Sequence, residues 1–296
     1  VVTVGGTYWE RDDQGKPTKR WRNEVYRLSP GDKQWGRLPD FPHPIGYALA
    51  VAFDAKLYVI GGTKGPGEKD TLREVYVIDL SEDEPVWRHE TDLPWPASRL
   101  RGGRAGQTIL VAGTNHSDGG GTFTLEFDPD NPAAGWQQLN SPPHGRTSYF
   151  AGTTCGNKLY VFGGGSNAQN GIRLNAESYV LNPPASKWQK IKPLPVPAID
   201  GRYIFIVGGV EQAGKTAAGI DPIGQDILSS RVFCYDTQED TYRAMDPLRL
   251  AVADSGIAAI PGSVFIVAGE DSVYQSRTGL VQVGRVQRLG TQAPEN

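Results

Sequence analysis

Sulfur and histidine are scarce in this chain, with two cysteines, one methionine and four histidines in 296 residues. Cys155 and Cys234 are too few for a disulfide framework and fall in different stretches, so both read as small buried residues rather than as a bridge. His43, His89, His116 and His144 stand singly, without the close spacing of a zinc or copper ligand set, and no metal is expected. No apolar run is long enough to cross a membrane as a helix. An excess of one charge is missing too. The 30 basic and 33 acidic side chains leave −3 with no basic run, which argues against nucleic acid as a partner. There is no Gly-x-Ser-x-Gly elbow, P-loop, dinucleotide fingerprint after a strand, or His-x-x-x-His, so no cofactor is expected.

What is abundant is turn-forming: 37 glycines and 22 prolines, composition for many short strands and few helices. The chain is organised around Lys56-Leu57-Tyr58-Val59-Ile60-Gly61-Gly62. It returns as Lys158-Leu159-Tyr160-Val161-Phe162-Gly163-Gly164 and as Arg202 to Gly209. Weaker copies end at Gly6, Gly113 and Gly269. The copies recur roughly every 45 to 60 residues, the period of a blade-like repeat. A β-branched and aromatic run of this kind reads as a strand buried on both faces, closed by glycines where a Cβ would obstruct the turn.

Each run is followed by the same series. A second strand comes first (Glu24-Val25-Tyr26, Glu74-Val75-Tyr76, Leu125-Glu126-Phe127, Ser178-Tyr179-Val180, Val232 to Tyr235), then an Asp/Pro turn. An aromatic residue follows (Trp35, Trp87, Trp136, Trp188, Tyr242), then a Leu-Pro corner at Leu38, Leu93 and Leu194. This order resembles the kelch repeat over nearly the whole chain. The resemblance implies an all-β fold, a six-bladed kelch-type β-propeller, with the four tryptophans buried between blades. The alternative is a β-sandwich with fortuitous glycines. Length alone suggests two domains, but a propeller is one closed unit. The expected organisation is one domain over 1–290 with a frayed tail at 291–296.

Several stretches depart from the repeat. Thr7 to Arg22 reads as a long charged loop carrying Trp9 and Trp21, which either pack on the next blade or wall a ligand site. Ala97 to Gly103 reads as too short for the first strand of repeat three, and repeat five lacks one after Ile199. Both shortfalls suggest omitted residues or real deletions. Ser166 to Ala176, with Arg173, and Val210 to Ile227 read as loops. Repeat one lacks a first strand and repeat six shows three, so strands from the two chain ends are expected to share a blade and remove the exposed edges. Val1 already falls inside a strand pattern, so a leader would lie upstream. The expected compartment is the periplasm or the outside of the cell, with the cytoplasm as the alternative.

The strongest chemical constellation is Gly269-Glu270-Asp271-Ser272-Val273-Tyr274-Gln275-Ser276-Arg277-Thr278. A carboxylate directly follows a buried strand, and an Arg-Thr pair opens the next. In a propeller that loop returns toward the mouth of the central channel. A Glu held near an Arg there is an acid/base with an anion-holding partner, or else a structural ion pair. Arg22, Arg173 and Arg231 are weaker candidates for the same mouth, each placed where a connecting loop runs into a strand.

Gly-Glu, a short loop and Arg-Thr resemble a segment of the bacterial N-acetylneuraminate epimerases, the sialic acid mutarotases. The opening with its tryptophan-rich stretch, Pro44-Ile45-Gly46-Tyr47 and Asp226-Ile227-Leu228 are similar as well, in an order suggesting circular permutation. The resemblance implies Glu270 as acid/base and Arg277 as a substrate contact, with no cofactor. The loop here is one residue longer and lacks the usual Pro-Gly before the arginine. The substrate implied is a small acidic sugar. The alternatives are a non-catalytic propeller that binds a glycan or a protein through its loop face, and, third, a copper radical oxidase. Oligomeric state is not legible.

Overall fold

The Lys-Leu-Tyr-Val run is a β-strand at each of its occurrences, and in four of six sheets it has a strand paired on either side. The computed structural model describes all residues except 12, 30, 115–120, 144–149, 169–170, 175, 185–186, 194–202, 209, 213–226, 253–254, 261–262, 268, 270–279 and 286–296. The described strands form six antiparallel sheets, the blades of a six-bladed β-propeller, plus two short hairpins. Blade 1 is β1 (Val2–Arg11), β2 (Pro17–Arg27) and β3 (Gly36–Leu38). Blade 2 is β4 (Leu49–Phe53), β5 (Lys56–Ile60), β6 (Val75–Asp79) and β7 (Trp87–His89). Blade 3 is β8 (Arg101–Ala105), β9 (Thr108–Thr114), β10 (Thr122–Phe127) and β11 (Gln137–Leu139). Blade 4 comprises β12 (Ala151–Cys155) and β13 (Lys158–Phe162), then a raised hairpin of β14 (Gly165–Ala168) and β15 (Gly171–Leu174), then β16 (Ser178–Leu181) and β17 (Gln189–Ile191). Blade 5 has β18 (Tyr203–Val207), the hairpin β19 (Val210–Gln212) and β20 (Ile227–Leu228), then β21 (Val232–Asp236) and β22 (Thr241–Met245). Blade 6 has β23 (Gly256–Ile260), β24 (Ser263–Val267) and β25 (Val281–Arg285).

The inner strands β4, β8 and β12 lie side by side. The second strands are sealed on both faces: Leu57 to Ile60 of β5 and Leu159 to Phe162 of β13 are all buried. A sheet cannot bury both faces alone, so the apolar clusters lie between blades. Val25, Ile45 and Val59 join blades 1 and 2, Tyr58, Ile60, Ile109 and Phe127 join blades 2 and 3, and Leu110, Leu159 and Leu181 join blades 3 and 4. Tyr160, Ile204, Tyr235 and Ile266 join blades 4 to 6.

Glycines closing the second strands of blades 1, 2 and 5 sit under the seams. Gly61 has φ +58, and a Cβ there would lie 2.4 Å from the Ala97 carbonyl oxygen, at the approach to blade 3. Gly62 N–H donates to that same oxygen at 2.8 Å. Gly5 and Gly208 meet the Ile45 and Val252 oxygens in the same way.

The aromatic of each repeat reaches back one blade. The indole N–H of Trp87 donates to Pro39 O (3.0 Å), that of Trp136 to Thr91 O (2.9 Å) and that of Trp188 to Asn140 O (2.7 Å). The Tyr242 hydroxyl donates to Lys192 O at 3.1 Å. These four rings lie beside the seam clusters but at their outer margin. Trp87, Trp136 and Trp188 are therefore half-buried rather than buried as expected, because the indole N–H of each faces a carbonyl, and Trp35 is half-buried as well.

Three expectations need correction. Repeat three does have its inner strand: Arg101 to Ala105 pairs with β9, Arg101 opposite Ala112 and Ala105 opposite Thr108. Arg101-Gly102-Gly103-Arg104 lacks β-branched residues, yet the site demands glycine, since a Cβ on Gly102 would lie 1.9 Å from Leu110 O. No omission is needed at Arg99. Thr7 to Arg22 is a two-stranded extension of blade 1, kinked by a bulge between Val4 and Gly6, rather than a loop. Arg173 lies in a hairpin strand opposite Ser166. The first strand expected for repeat five, the segment that would close the ring at 286–296 and the tail lie outside the described residues. Among the described residues β1 and β25 belong to separate sheets. Cys155 and Cys234 are not joined in a disulfide and belong to one seam cluster, and burial pushes the Cys234 thiol up to about 11.

Candidate functional site

All second strands run toward one end of the propeller, where the Gly-Gly turns and the raised hairpins lie. At this end β1 and β2 continue past the bulge at Val4 and Gly6 as a hairpin. The pairing Thr7↔Trp21, Tyr8↔Arg20 and Trp9↔Lys19 sorts the side chains of the hairpin onto two faces by the period of two. One face carries Tyr8, Glu10, Arg20, Arg22 and Glu24. Arg20 pairs with Glu10 and Arg22 with Glu24, each at 2.8 Å, and the Arg22 guanidinium lies 4.2 Å from the centre of the Tyr8 ring. A backbone hydrogen bond, opposed by burial and helped by Arg22, holds the Glu24 carboxyl below its ordinary value.

The other face carries Thr7, Trp9, Lys19 and Trp21, and it leans on blade 2. Trp21 Nε1 donates to Thr63 Oγ1 at 3.0 Å. Gly46 makes the close approach feasible, because a Cβ there would meet Thr7 Cγ2 at 2.7 Å and the Trp21 ring at 3.0 Å. Lys19 Nζ donates to the Tyr47 hydroxyl and lies 5.2 Å from the Trp9 ring centre and 5.0 Å from that of Tyr47. Arg99 covers the Tyr47 ring, its Cζ 4.4 Å from the centroid, while its N–H donates to Tyr47 O at 2.8 Å. Trp9 Nε1 is buried and has no hydrogen-bond partner among the described residues.

Tyr47 and Arg99 hold equivalent places, each two residues before an inner strand. Both adopt the left-handed region, with φ 57° and φ 53°. Tyr149 and Asp254 stand two residues before β12 and β23, outside the described residues. Aligning the repeats on their inner strands would have exposed this set of four in the sequence. Aligning on the Gly-Gly runs hid it, because the inner strand of blade 3 does not look like a strand.

Of the candidate residues read from the sequence, Glu270 and Arg277 lie outside the described residues, on the connection between β24 and β25. Arg22 is exposed in the middle of β2, on the hairpin face away from Lys19. The backbone of Arg173 lies in β15. Arg231 is exposed just before β21, its N–H bonded to Ser229 Oγ and its carbonyl accepting from Gly208. Lys19, Tyr47 and Arg99 were not singled out in the sequence. A cavity of about 190 Å³ at the opposite end of blade 2 from Tyr47 is lined by Asp54, Lys56, Asp79 and Asp130.

No family model matches the chain. Kelch-like protein 26 of Danio rerio is 22% identical over 292 residues, 96% of this chain and 45% of that protein. An N-acetylneuraminate epimerase of Haemophilus influenzae (strain 86-028NP) is 28% identical over 269 residues, 69% of this chain and 70% of its own length. The chain spans a quarter to a third of the first curated relatives it matches. The solved structure of YjhT superposes with a TM-score of 0.72 at 16% identity, covering 97% of this chain and 95% of that one. Fold and repeats make the chain a kelch-repeat β-propeller. Within that class it resembles the N-acetylneuraminate epimerases.

Proposed function

We propose that this propeller is a mutarotase acting on sialic acid or a closely related acidic sugar. Glu270 moves the proton and Arg277 holds the carboxylate. The observation that supports this most is the place of Gly269-Glu270…Arg277-Thr278 in the chain, linking the second and third strands of blade 6. In blade 1 the same connection carries the Trp9 and Lys19 hairpin. The likeness to an N-acetylneuraminate epimerase over 69% of the chain supports the substrate class.

The chemistry asks little of the protein. Sialic acid bears a carboxylate on its anomeric carbon, which a planar guanidinium suits. Mutarotation takes a proton from the anomeric hydroxyl and returns one to the ring oxygen. The C–O bond to the ring opens, the carbonyl carbon turns over, and the steps reverse. One carboxyl group with water serves both transfers.

The test is proton NMR of a single sialic acid anomer added to the protein. Equilibration should run faster than in buffer, and Glu270→Gln should abolish the acceleration while leaving folding and affinity nearly intact. Equilibration no faster than buffer would leave the non-catalytic reading, a propeller that binds through this end.

A further inference from the structure

We propose that Lys19, Tyr47 and Arg99, walled by Trp9, form a second contact at the mouth, a subsite for the carboxylate of an acidic sugar. The proposal reaches beyond the mutarotase reading, since it involves residues of blades 1 to 3 and requires no proton transfer.

The first observation is Lys19. Its ammonium is half-buried, bonded to a phenol and flanked by two rings, and among the described residues it has no carboxylate partner. Removing a positive charge from water without a counter-charge is costly, and ring contacts offset only part of that cost. The nearby carboxylates, Glu10 and Glu24, occupy the opposite face of the hairpin and are engaged by Arg20 and Arg22. Among the described residues, the face that leans on blade 2 is therefore left positive.

The second observation is the backbone. Left-handed geometry is strained at a tyrosine and at an arginine. Both are held there: Gly46 and Thr63 exchange N–H···O bonds beside Tyr47, and the Arg99 N–H is tied to the Tyr47 carbonyl. A glycine at either place would relieve the strain. Retaining the large side chains points to a use for them where they stand, stacked on each other beside the Lys19 ammonium.

The third is Trp9. Among the described residues its indole N–H has no acceptor, and its ring is an apolar wall next to the ammonium. An ammonium and a guanidinium around a phenol, beside an indole face, suit one ligand class well. A carboxylate takes the charge-assisted bonds, sugar hydroxyls take the phenol, and the C–H face of the ring lies on the indole.

The experiment is calorimetric titration of the full chain with N-acetylneuraminic acid and with its methyl ester, in which the charge is masked. The acid should bind, and the ester should bind at least tenfold more weakly. Lys19→Met and Arg99→Gln should each weaken the acid at least tenfold at unchanged melting temperature, while Lys33→Met on the far surface should match wild type. Arg99 is exposed, so its variant keeps the test valid if Lys19→Met unfolds. Equal binding of acid and ester, wild-type affinity in both variants, or no binding of the acid at millimolar concentration would each overturn the proposal. Binding without anomer exchange would remove the catalytic reading and leave the subsite. Exchange with unchanged KM in both variants would do the reverse.

Discussion

At the outer rim, blade after blade makes the same bond: Trp87, Trp136 and Trp188 donate an indole N–H to the preceding blade, and Tyr242 supplies a hydroxyl in its place. Two residues before the inner strands the sequence holds Tyr47, Arg99, Tyr149 and Asp254, no two neighbours alike, the last two outside the described residues. The difference is physical. A rim residue must meet a carbonyl at a fixed distance, and a seam glycine must fit beneath one, so the repeat tolerates little there. Tyr47 and Arg99 meet the neighbouring blades through side chains of different chemistry, a phenol bonded to Lys19 and a guanidinium over that phenol's ring. Uniformity therefore marks what holds the ring together, and variety marks where chemistry can be placed.

The contrast can be broken most forcefully at a seam. Gly61→Ala puts a Cβ 2.4 Å from Ala97 O on a backbone with φ +58, and should cost about 3 kcal/mol or more in urea unfolding. Gly15→Ala, at the hairpin tip with φ +77 and nothing within 4 Å, should cost only about 1 kcal/mol. Equal losses would mean that the strained φ matters and the seam does not.

Alkali should attack the seams next. Burial pushes the Tyr58 and Tyr160 phenols up to about 12 from an ordinary 10, and Tyr235 shifts the same way. The folded values are raised, so this stabilisation is complete below pH 10 and is lost as pH climbs through 12. Melting temperature should fall steeply across that window, and Tyr58→Phe should flatten the fall. An unchanged slope would assign the alkaline loss elsewhere.

A gentler probe is the rim. Trp136→Phe removes the bond to Thr91 O and should cost about 1–2 kcal/mol, with Trp87→Phe close to it. Widely different costs would show that the rim is uniform in geometry but not in energy. The smallest effect should come from the mouth: Arg99→Gly, at φ 53°, should leave stability unchanged or raise it by about 1 kcal/mol. A clear loss would place Arg99 among the structural residues and blur the contrast.

The architecture was legible because its determinants are local and repeated. Lys56 to Gly62 and Lys158 to Gly164 spell out a doubly buried strand and the turn that follows it, and Trp87, Trp136 and Trp188 mark the seams. The inner strand of blade 3 was not legible. Arg101-Gly102-Gly103-Arg104 is shaped by crowding from Leu110 and Thr154, contacts that only the folded ring brings together. The Trp9 hairpin was misread as a loop because charged residues on one of its faces, Glu10 and Arg20, masked the alternation. Arg22 was legible as a mouth candidate, but its pairing with Glu24 and its orientation away from Lys19 depend on register. The Lys19, Tyr47 and Arg99 constellation joins three blades from positions 28 and 52 residues apart, by the differences 47 − 19 and 99 − 47. No single-repeat pattern could reveal it.

The rim bonds also bear on how the chain is made. Each aromatic reaches back 48, 45, 48 or 50 residues, always toward the N-terminus. When a rim tryptophan leaves the ribosome, the carbonyl it needs has already been synthesised. At translation speeds of about 5–20 residues per second, a new seam becomes available every few seconds. Blades can therefore dock in order of synthesis, each on a template already in place.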